Sequence, residues 1–298
     1  MEKDVLEKYV KAGAIAGKAV RTGITMIKPG VRLLEVAEKV EQIVMEEGAR
    51  CAFPVNISIN EDAAHYTPAF GDERVFGEMD IVKLDVGAHV NGYIGDTALC
   101  VDLSGERGKL VEASAAALEA AIASIKPGVT AVEVGGAIED EIRGRGFKPI
   151  ENLTGHHVEC YELHADGEIP NVRRGAKTLL EEGQVYAIEP FATDGAGSIA
   201  EGEFVEIFCF NEPVPVRMRE SRRAMMFIEK QYGTLPFAER WLRREFKSKL
   251  LLEAALRELV VSGALRQYPV LTEVKKGMVS QAEHTILVEK DGARVLTK

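Results

Sequence analysis

Ile27 to Gly48 reads IKPGVRLLEVAEKVEQIVMEEG, and Ile125 to Gly146 reads IKPGVTAVEVGGAIEDEIRGRG. The two stretches align without gaps at an offset of 98, with nine identities in 22 positions. The matches are the opening Ile-Lys-Pro-Gly-Val, then Glu35/Glu133, Val36/Val134, Glu41/Glu139 and Gly48/Gly146. Each copy opens a helix after a Pro-Gly turn. In the first, Leu33/Leu34, Val36/Ala37, Val40 and Ile43/Val44 recur at helical spacing, and Gly48 is placed to stop the helix. A long unit present twice predicts a duplicated α/β half rather than a solenoid, which needs more copies of shorter period. Duplication places a site naturally between two halves.

Residues 5–24 predict a helix before the first copy. Residues 51–59, CAFPVNISI, predict a strand that Pro54 confines to an edge or bulge. Asn60 to Asp72 reads as a loop carrying His65. Lys83 to Val101, KLDVGAHVNGYIGDTALCV, then gives two apolar runs around Asp85 and Asp96, with turn residues Gly87, Asn91 and Gly92 between them. That pattern predicts a β-hairpin. Aspartate is disfavoured inside strands, and a buried carboxylate is costly unless paired or metal-bound. Two facing ones repel. A pair of metal ions, a Lys or Arg between them, or exposure at a solvated turn or edge would each relieve that.

Beyond the hairpin, residues 108–124 predict an Ala-rich helix. After the second repeat copy comes NLTGHHVECYELHADGEIP, Asn152 to Pro170, with three histidines. Gln184 to Phe191 predicts an apolar strand carrying Glu189, and Glu203 to Phe210 predicts another. Residues 219–262 turn helical. EHTILVE, Glu283 to Glu289, and a short run at Ala293 to Thr297 return to strand. The helical stretch interrupts the β pattern, so about 211–270 is expected as a helical insert within one domain spanning 1–298. The fold class expected is α+β.

The 46% hydrophobic and 28% charged composition is that of a globular protein. The longest apolar runs are too short for a membrane span, and MEKDVLEKYV lacks a signal-peptide core. Cys51, Cys100, Cys160 and Cys209 are widely spaced with no C-x-x-C pair, which argues against a disulfide framework and a Cys-based zinc site. A cytoplasmic setting is expected. The net charge of −10 argues against DNA or general nucleic-acid binding. Arg217 to Arg266, however, holds 12 Lys+Arg against 6 Asp+Glu. That excess has two readings, a contact with ribosomal RNA or a solvated helical face of mixed charge, and the second is favoured.

Five candidate ligands lie on separate strand-like segments: Asp85, Asp96, a His of Gly155-His156-His157, Glu189 and Glu283. Singly, a carboxylate at a strand end is usually solvated or capping. As a set, four carboxylates and an imidazole suit two divalent first-row metals, Co, Mn, Fe, Ni or Zn. Such a pair activates water at neutral pH and polarises a carbonyl.

The hairpin pattern D-V-G-x-x-x-x-G-Y-I-x-D-x-A, together with NISIN…AAHYTP, TGH…LHA…IP, AIEPF and QAEHT, resembles the type II methionine aminopeptidases over nearly the whole chain. The start of the chain is similar to the archaeal form. The resemblance implies a pita-bread fold, two pseudo-symmetric halves around a dinuclear metal site, and removal of the initiator methionine from nascent chains when the second residue is small. It implies Asp85, Asp96, His156, Glu189 and Glu283 as metal ligands, with Asp96 and Glu283 bridging. Glu189 would also shuttle a proton. His65 and His164 would contact the substrate, and Phe53, Leu163, Phe191 and Tyr268, with His65, would line the methionine pocket. His156 is preferred over His157 because it follows Gly155. If 156–164 is one extended strand, His156 and His164 also share a face while His157 points away. The family reads His-Ala-Gly where this chain has His164-Ala165-Asp166, followed by Gly167. If that turn needs φ > 0, Asp tolerates it better than most residues. A monomer acting on nascent N-termini is expected. The rivals are a proline dipeptidase or aminopeptidase P on the same fold, and a non-catalytic ribosome-associated binder.

Overall fold

Both Pro-Gly turns place glycine at positive φ, +82° at Gly30 and +85° at Gly128, a conformation that costs any other residue more. Each turn is clamped in the same way by a passing segment. Gly30 N donates to Phe76 O (2.8 Å) and Leu33 N to Arg74 O (3.0 Å). In the second copy Gly128 N donates to Leu180 O and Ala131 N to Thr178 O, both at 2.9 Å. The helices end alike too, with Ala49 N on Val44 O and Phe147 N on Ile142 O, both 3.2 Å. The sequence repeat is therefore a repeat of hydrogen bonding in space.

The computed structural model describes residues 1–175 and 177–298. The first half runs α1 (Lys3–Met26), α2 (Leu33–Glu46), β1 (Arg50–Cys51), β2 (Asn56–Ile59), β3 (Asp62–Ala64), β4 (Ile81–Val90) and β5 (Tyr93–Asp102). The second runs α3 (Gly108–Ser124), α4 (Ala131–Gly144), β6 (Lys148–Pro149), β7 (Thr154–Glu159), β8 (Glu162–Pro170), β9 (Val185–Ile188) and β10 (Phe191–Thr193). Next come β11 (Ile199–Phe210), α5 (Arg219–Tyr232), β12 (Phe237–Ala238), α6 (Glu239–Leu242), α7 (Lys249–Val261) and β13 (Leu265–Glu273). The chain closes with β14 (Val279–Gln281), β15 (His284–Glu289) and β16 (Gly292–Val295).

In the first half β4 pairs with β1, β2 and β5; in the second, β14-β10-β6 and β16-β15-β9-β7-β8 form two sheets. The fourth sheet, β12-β11-β13-β3, ties the helical segment to the first half through β3. Helices α1 and α2 bury Val20, Val36, Val40 and Val44 against β4, and α3 and α4 bury their apolar faces in a second core with Tyr186, Ile188 and Ile286. Helices α5 and α7 pack on Phe208, Phe210 and Phe237 in a core of their own. No helix among the described residues is long and apolar enough to cross a membrane.

Several local expectations change; residues 51–59, expected as one strand, divide into β1 and β2 on either side of Pro54. Gly87 lies inside β4, and the hairpin turn is Asn91-Gly92 alone, both at positive φ, which gives a two-residue type I′ turn. The Asn60–Asp72 loop contains β3, which pairs with β13. Residues 156–164 are not one strand: the chain reverses at Cys160-Tyr161, so β7 and β8 form an antiparallel hairpin.

One repeat position has diverged. Glu139 is partly exposed and pairs with Arg143 at 2.7 Å, whereas its counterpart Glu41 is buried against Arg240 of α6. Glu41 also accepts from Trp241 Nε1 (2.9 Å), while Arg240 donates to Thr67 Oγ1 (2.7 Å). Removing one partner of a buried pair leaves an uncompensated charge. Arg240→Met is thus expected to cost about 3–5 kcal/mol in urea unfolding, with much of the loss recovered when Glu41→Leu is added. A single variant as stable as the parent would show that the pair does not fasten the helical segment.

Candidate active site

The register of the hairpin pairs Asp85 with Ala98 and Gly87 with Asp96. Asp85 and Asp96 are therefore diagonal neighbours on one face of the sheet. Three segments of the second half meet that face. His156 comes from β7, Glu189 from the break between β9 and β10, and Glu283 from the break between β14 and β15. His156 Nε2 lies 3.8 Å from Asp96 Oδ2 and 3.5 Å from Glu189 Oε1. Asp96, His156 and Glu283 each offer a ligand atom within 4.8 Å of the others. The structure thus brings all five predicted residues to one cavity.

Side chains stitch the halves together at the ligand positions. Asp96 N donates to Thr285 Oγ1 (2.7 Å), and the same hydroxyl donates to Asp96 O (2.8 Å). Thr97 Oγ1 donates to Glu283 O (2.8 Å), and Glu283 N to Ala98 O (3.1 Å). Nearby, buried Lys83 donates its Nζ to Asn60 O and Val279 O, both at 2.9 Å, tying β4 to β14. Its burial pulls the ammonium down to about 8. Lys83 is committed to carbonyls, so it is not the cation between the two aspartates.

Burial pushes all four carboxyls up, Asp85 to about 7, with mutual repulsion adding to the rise at Asp96, Glu189 and Glu283. Asp85 Oδ1 and Asp96 Oδ1 are buried without a hydrogen-bond donor among the described residues. Orphaned acceptors, repelling carboxylates and one imidazole are the donor set that hard or borderline divalent cations satisfy. The residues fit a metal centre.

His65 sits at φ +65°, a left-handed conformation rare for a side-chain-bearing residue and concentrated at functional sites. Its Nδ1 lies 3.2 Å from Pro269 O. A carbonyl can only accept, so Nδ1 carries the proton and Nε2 keeps its lone pair. Burial lowers His65 and His156 to about 4, so these two imidazoles are neutral at pH 7, and His164, exposed to the cavity, is lowered by partial desolvation and by His156, His65 and Arg266 around it. The His164 ring centroid lies 4.4 Å from that of His156, while His157 packs on Tyr186 at 5.0 Å, away from the carboxylates. His156 and His164 meet across a hairpin, not along one extended strand as expected.

The cavity encloses about 580 Å³. Phe53, Leu163, Phe191, Tyr268, His65 and His164 line it as expected. Sequence reasoning missed Asn56, Ile207, Pro236 and Leu271, which also line it. Alternation along Val205–Phe210 could have flagged Ile207; nothing local flags Pro236. Gly87 is explained here: a Cβ on it would lie 2.2 Å from the Phe53 ring, so that ring lies against the bare strand. The Asp166 expectation is corrected. Asp166 is not at positive φ; Gly167 takes φ +127°, in a bulge where His156 and His157 oppose Glu168 and Ala165. The glycine has moved one residue along, and Asp166 faces the cavity mouth without backbone strain.

Residues 7–232 match the metallopeptidase family M24. The chain belongs to that family. It is 50% identical over 295 residues to a methionine aminopeptidase of Thermococcus kodakarensis, covering 99% of this chain and all of the relative. The solved structure of a methionine aminopeptidase from Thermotoga maritima is 27% identical, with a TM-score of 0.74 over 100% of this chain and 98% of that one. A prolidase from Pyrococcus furiosus is 23% identical with a TM-score of 0.63, and this chain covers 64% of it; that likeness shows the fold alone. The fold is the pita-bread fold. The enzyme is a metallo-aminopeptidase that removes N-terminal methionine from polypeptides, and the proline-directed alternative is not favoured.

These titrations give the metal-free protein a signed pH dependence. A carboxyl whose folded pKa is raised holds a proton that the unfolded chain releases above about pH 4, so stability falls as pH rises through the folded value. The depressed histidines act oppositely, but their contribution is complete by about pH 7. As pH rises past about 7, and before buried Lys83 releases its proton near 8 and reverses the trend, the metal-stripped protein is therefore expected to lose thermal stability, and added Mn should abolish the loss. Melting temperatures across a pH series check this; a flat or rising metal-free profile in that window would count against buried, uncompensated carboxylates.

Proposed function

We propose that the cavity binds two divalent cations, with Asp96 and Glu283 shared, Asp85 completing one site, and His156 and Glu189 the other. The observation that carries this reading is the convergence of four buried or half-buried carboxylates, two with orphaned oxygens, on a neutral imidazole. When bound, such ions activate a water at neutral pH and polarise the scissile carbonyl.

The chain's own groups do the rest. Glu189, half-buried beside His156, accepts the proton of the attacking water and delivers it to the leaving amine. His65, held as the Nδ1–H tautomer, presents Nε2 as an acceptor to the peptide N–H. Neutral His164 donates to the peptide oxygen as charge develops there. The apolar walls from Phe53, Leu163, Phe191 and Tyr268, with Ile207 and Leu271, take the methionine side chain and exclude water. Bulk at the second residue would meet the rim formed by His65, His164 and Tyr268, whose rings touch edge and face. That supports a requirement for a small second residue.

The same reading makes residues 1–298 one catalytic domain with a helical insert at about 211–270; the separate core of α5 and α7 supports it. Its helices end at Val261, and the last residues of that span already belong to β13. The enzyme works as a monomer in the cytoplasm on nascent N-termini, which fits four unpaired cysteines. Within the insert Arg223 pairs with Glu245 at 2.7 Å, and Arg222 donates to Val216 O and Arg217 O. This engagement supports the solvated-face reading of the basic stretch over an RNA contact.

Hydrolysis of Met-Ala-Ser, Met-Glu-Ser and Ala-Pro by Mn-loaded protein tests the activity. Release of methionine from the first alone is expected; cleavage confined to Ala-Pro, or Met-Glu-Ser cut as fast as Met-Ala-Ser, would contradict the pocket described.

A further inference from the structure

We propose that Asn56 reads the free α-amino group of the substrate, its Oδ1 accepting a hydrogen bond from the N-terminal amine. This role rests on the aminopeptidase reading above and adds the residue that distinguishes a chain end from an internal methionine.

Asn56 lies in β2, is 5% exposed, and lines the cavity. Its Nδ2 donates to Pro54 O at 2.7 Å. Rotating the amide would set two oxygens against each other, so the orientation is fixed. Oδ1 is left buried with no donor among the described residues. A buried acceptor left unpaired is costly, and a ligand that supplies the donor removes that cost.

The register says which ligand group arrives there. Asn56 pairs directly with Asp85, so both side chains stand on the same face of the sheet. Gly87, two residues on from Asp85, shares that face and has the Phe53 ring lying over it. Phe53, Asn56 and Asp85 are thus neighbours on one surface. In an N-terminal methionine, the side chain, the amine and the carbonyl carbon all branch from one Cα. With the side chain against Phe53 and the carbonyl at the carboxylates, the third branch falls beside Asn56. A protonated amine is purely a donor and Oδ1 purely an acceptor. In an internal or acylated methionine the nitrogen carries one N–H and no charge, so the charge-assisted bond to Oδ1 is lost.

The test is isothermal titration of Mn-loaded protein with two probes, L-methioninamide and its desamino analogue 4-(methylthio)butanamide, with metal content measured in parallel. Asn56→Leu keeps bulk but removes the acceptor, and Asn56→Ala supplies the same comparison if the leucine variant does not fold. Asn56→Asp retains an acceptor. In Asn56→Leu or Asn56→Ala, affinity for methioninamide should fall about ten- to a hundredfold, the desamino probe should bind as in the parent, and two Mn should remain. Asn56→Asp should keep the preference for the amine. Equal losses for both probes, no loss for either, or loss of a Mn ion would overturn the role. A parent protein that discriminates neither probe and cuts no Met-peptide would instead fail the aminopeptidase reading itself.

Discussion

The fold is organised by one electrostatic constraint: four carboxylates and one imidazole share a buried space at the junction of two halves. In the protein alone this arrangement is unfavourable, since burial and mutual repulsion push Asp96, Glu189 and Glu283 toward their neutral forms. What holds it together lies outside the ligands. Thr285 grips both backbone polar groups of Asp96, Thr97 grips the carbonyl of Glu283, and Lys83 ties β4 to β14. Each bond fixes a ligand-bearing segment of one half to a segment of the other. These bonds keep the carboxyls together, where a bound cation would compensate the charge they carry once ionised.

The helical segment has a second part in this. Its buried Glu41–Arg240 pair anchors it to α2, and Pro236 and Ile207 close one wall of the cavity. The halves supply the charged floor, and β11, β13 and the segment between them supply apolar walls. Phe53, Leu163 and Phe191 of the two halves complete those walls, so both halves and the segment meet at the cavity. The Glu41/Glu139 position shows how a duplicated residue acquires a new duty: the same glutamate is a partly exposed helix partner in one half and a docking post in the other.

Much of this was legible in the residues. The repeat at 27 and 125 announced two halves because a Pro-Gly turn has only one easy backbone solution, and both copies adopt it. Asp85 and Asp96 stood out because aspartate is out of place in apolar strands. The parts that escaped depend on register between distant segments. Asn56 looks like an ordinary strand polar residue until its pairing with Asp85 is known. β3 is too short to show a period. The reversal at Cys160-Tyr161 hides because Tyr161 takes a positive φ (61°) without a glycine to mark it. Gly87 read as a turn residue because glycine in a strand is uncommon; its cause, the Phe53 ring, lies on another strand.

In the proposed site Asp96 and Glu283 are shared between two cations while Asp85 serves one. Titration of metal-stripped protein with Mn, followed by measurement of bound metal, tests it most directly. Two ions per chain are expected in the parent, one in Asp85→Ala, and none held tightly in Asp96→Ala. Equal stoichiometry in the two variants, or no binding by the parent, would contradict it.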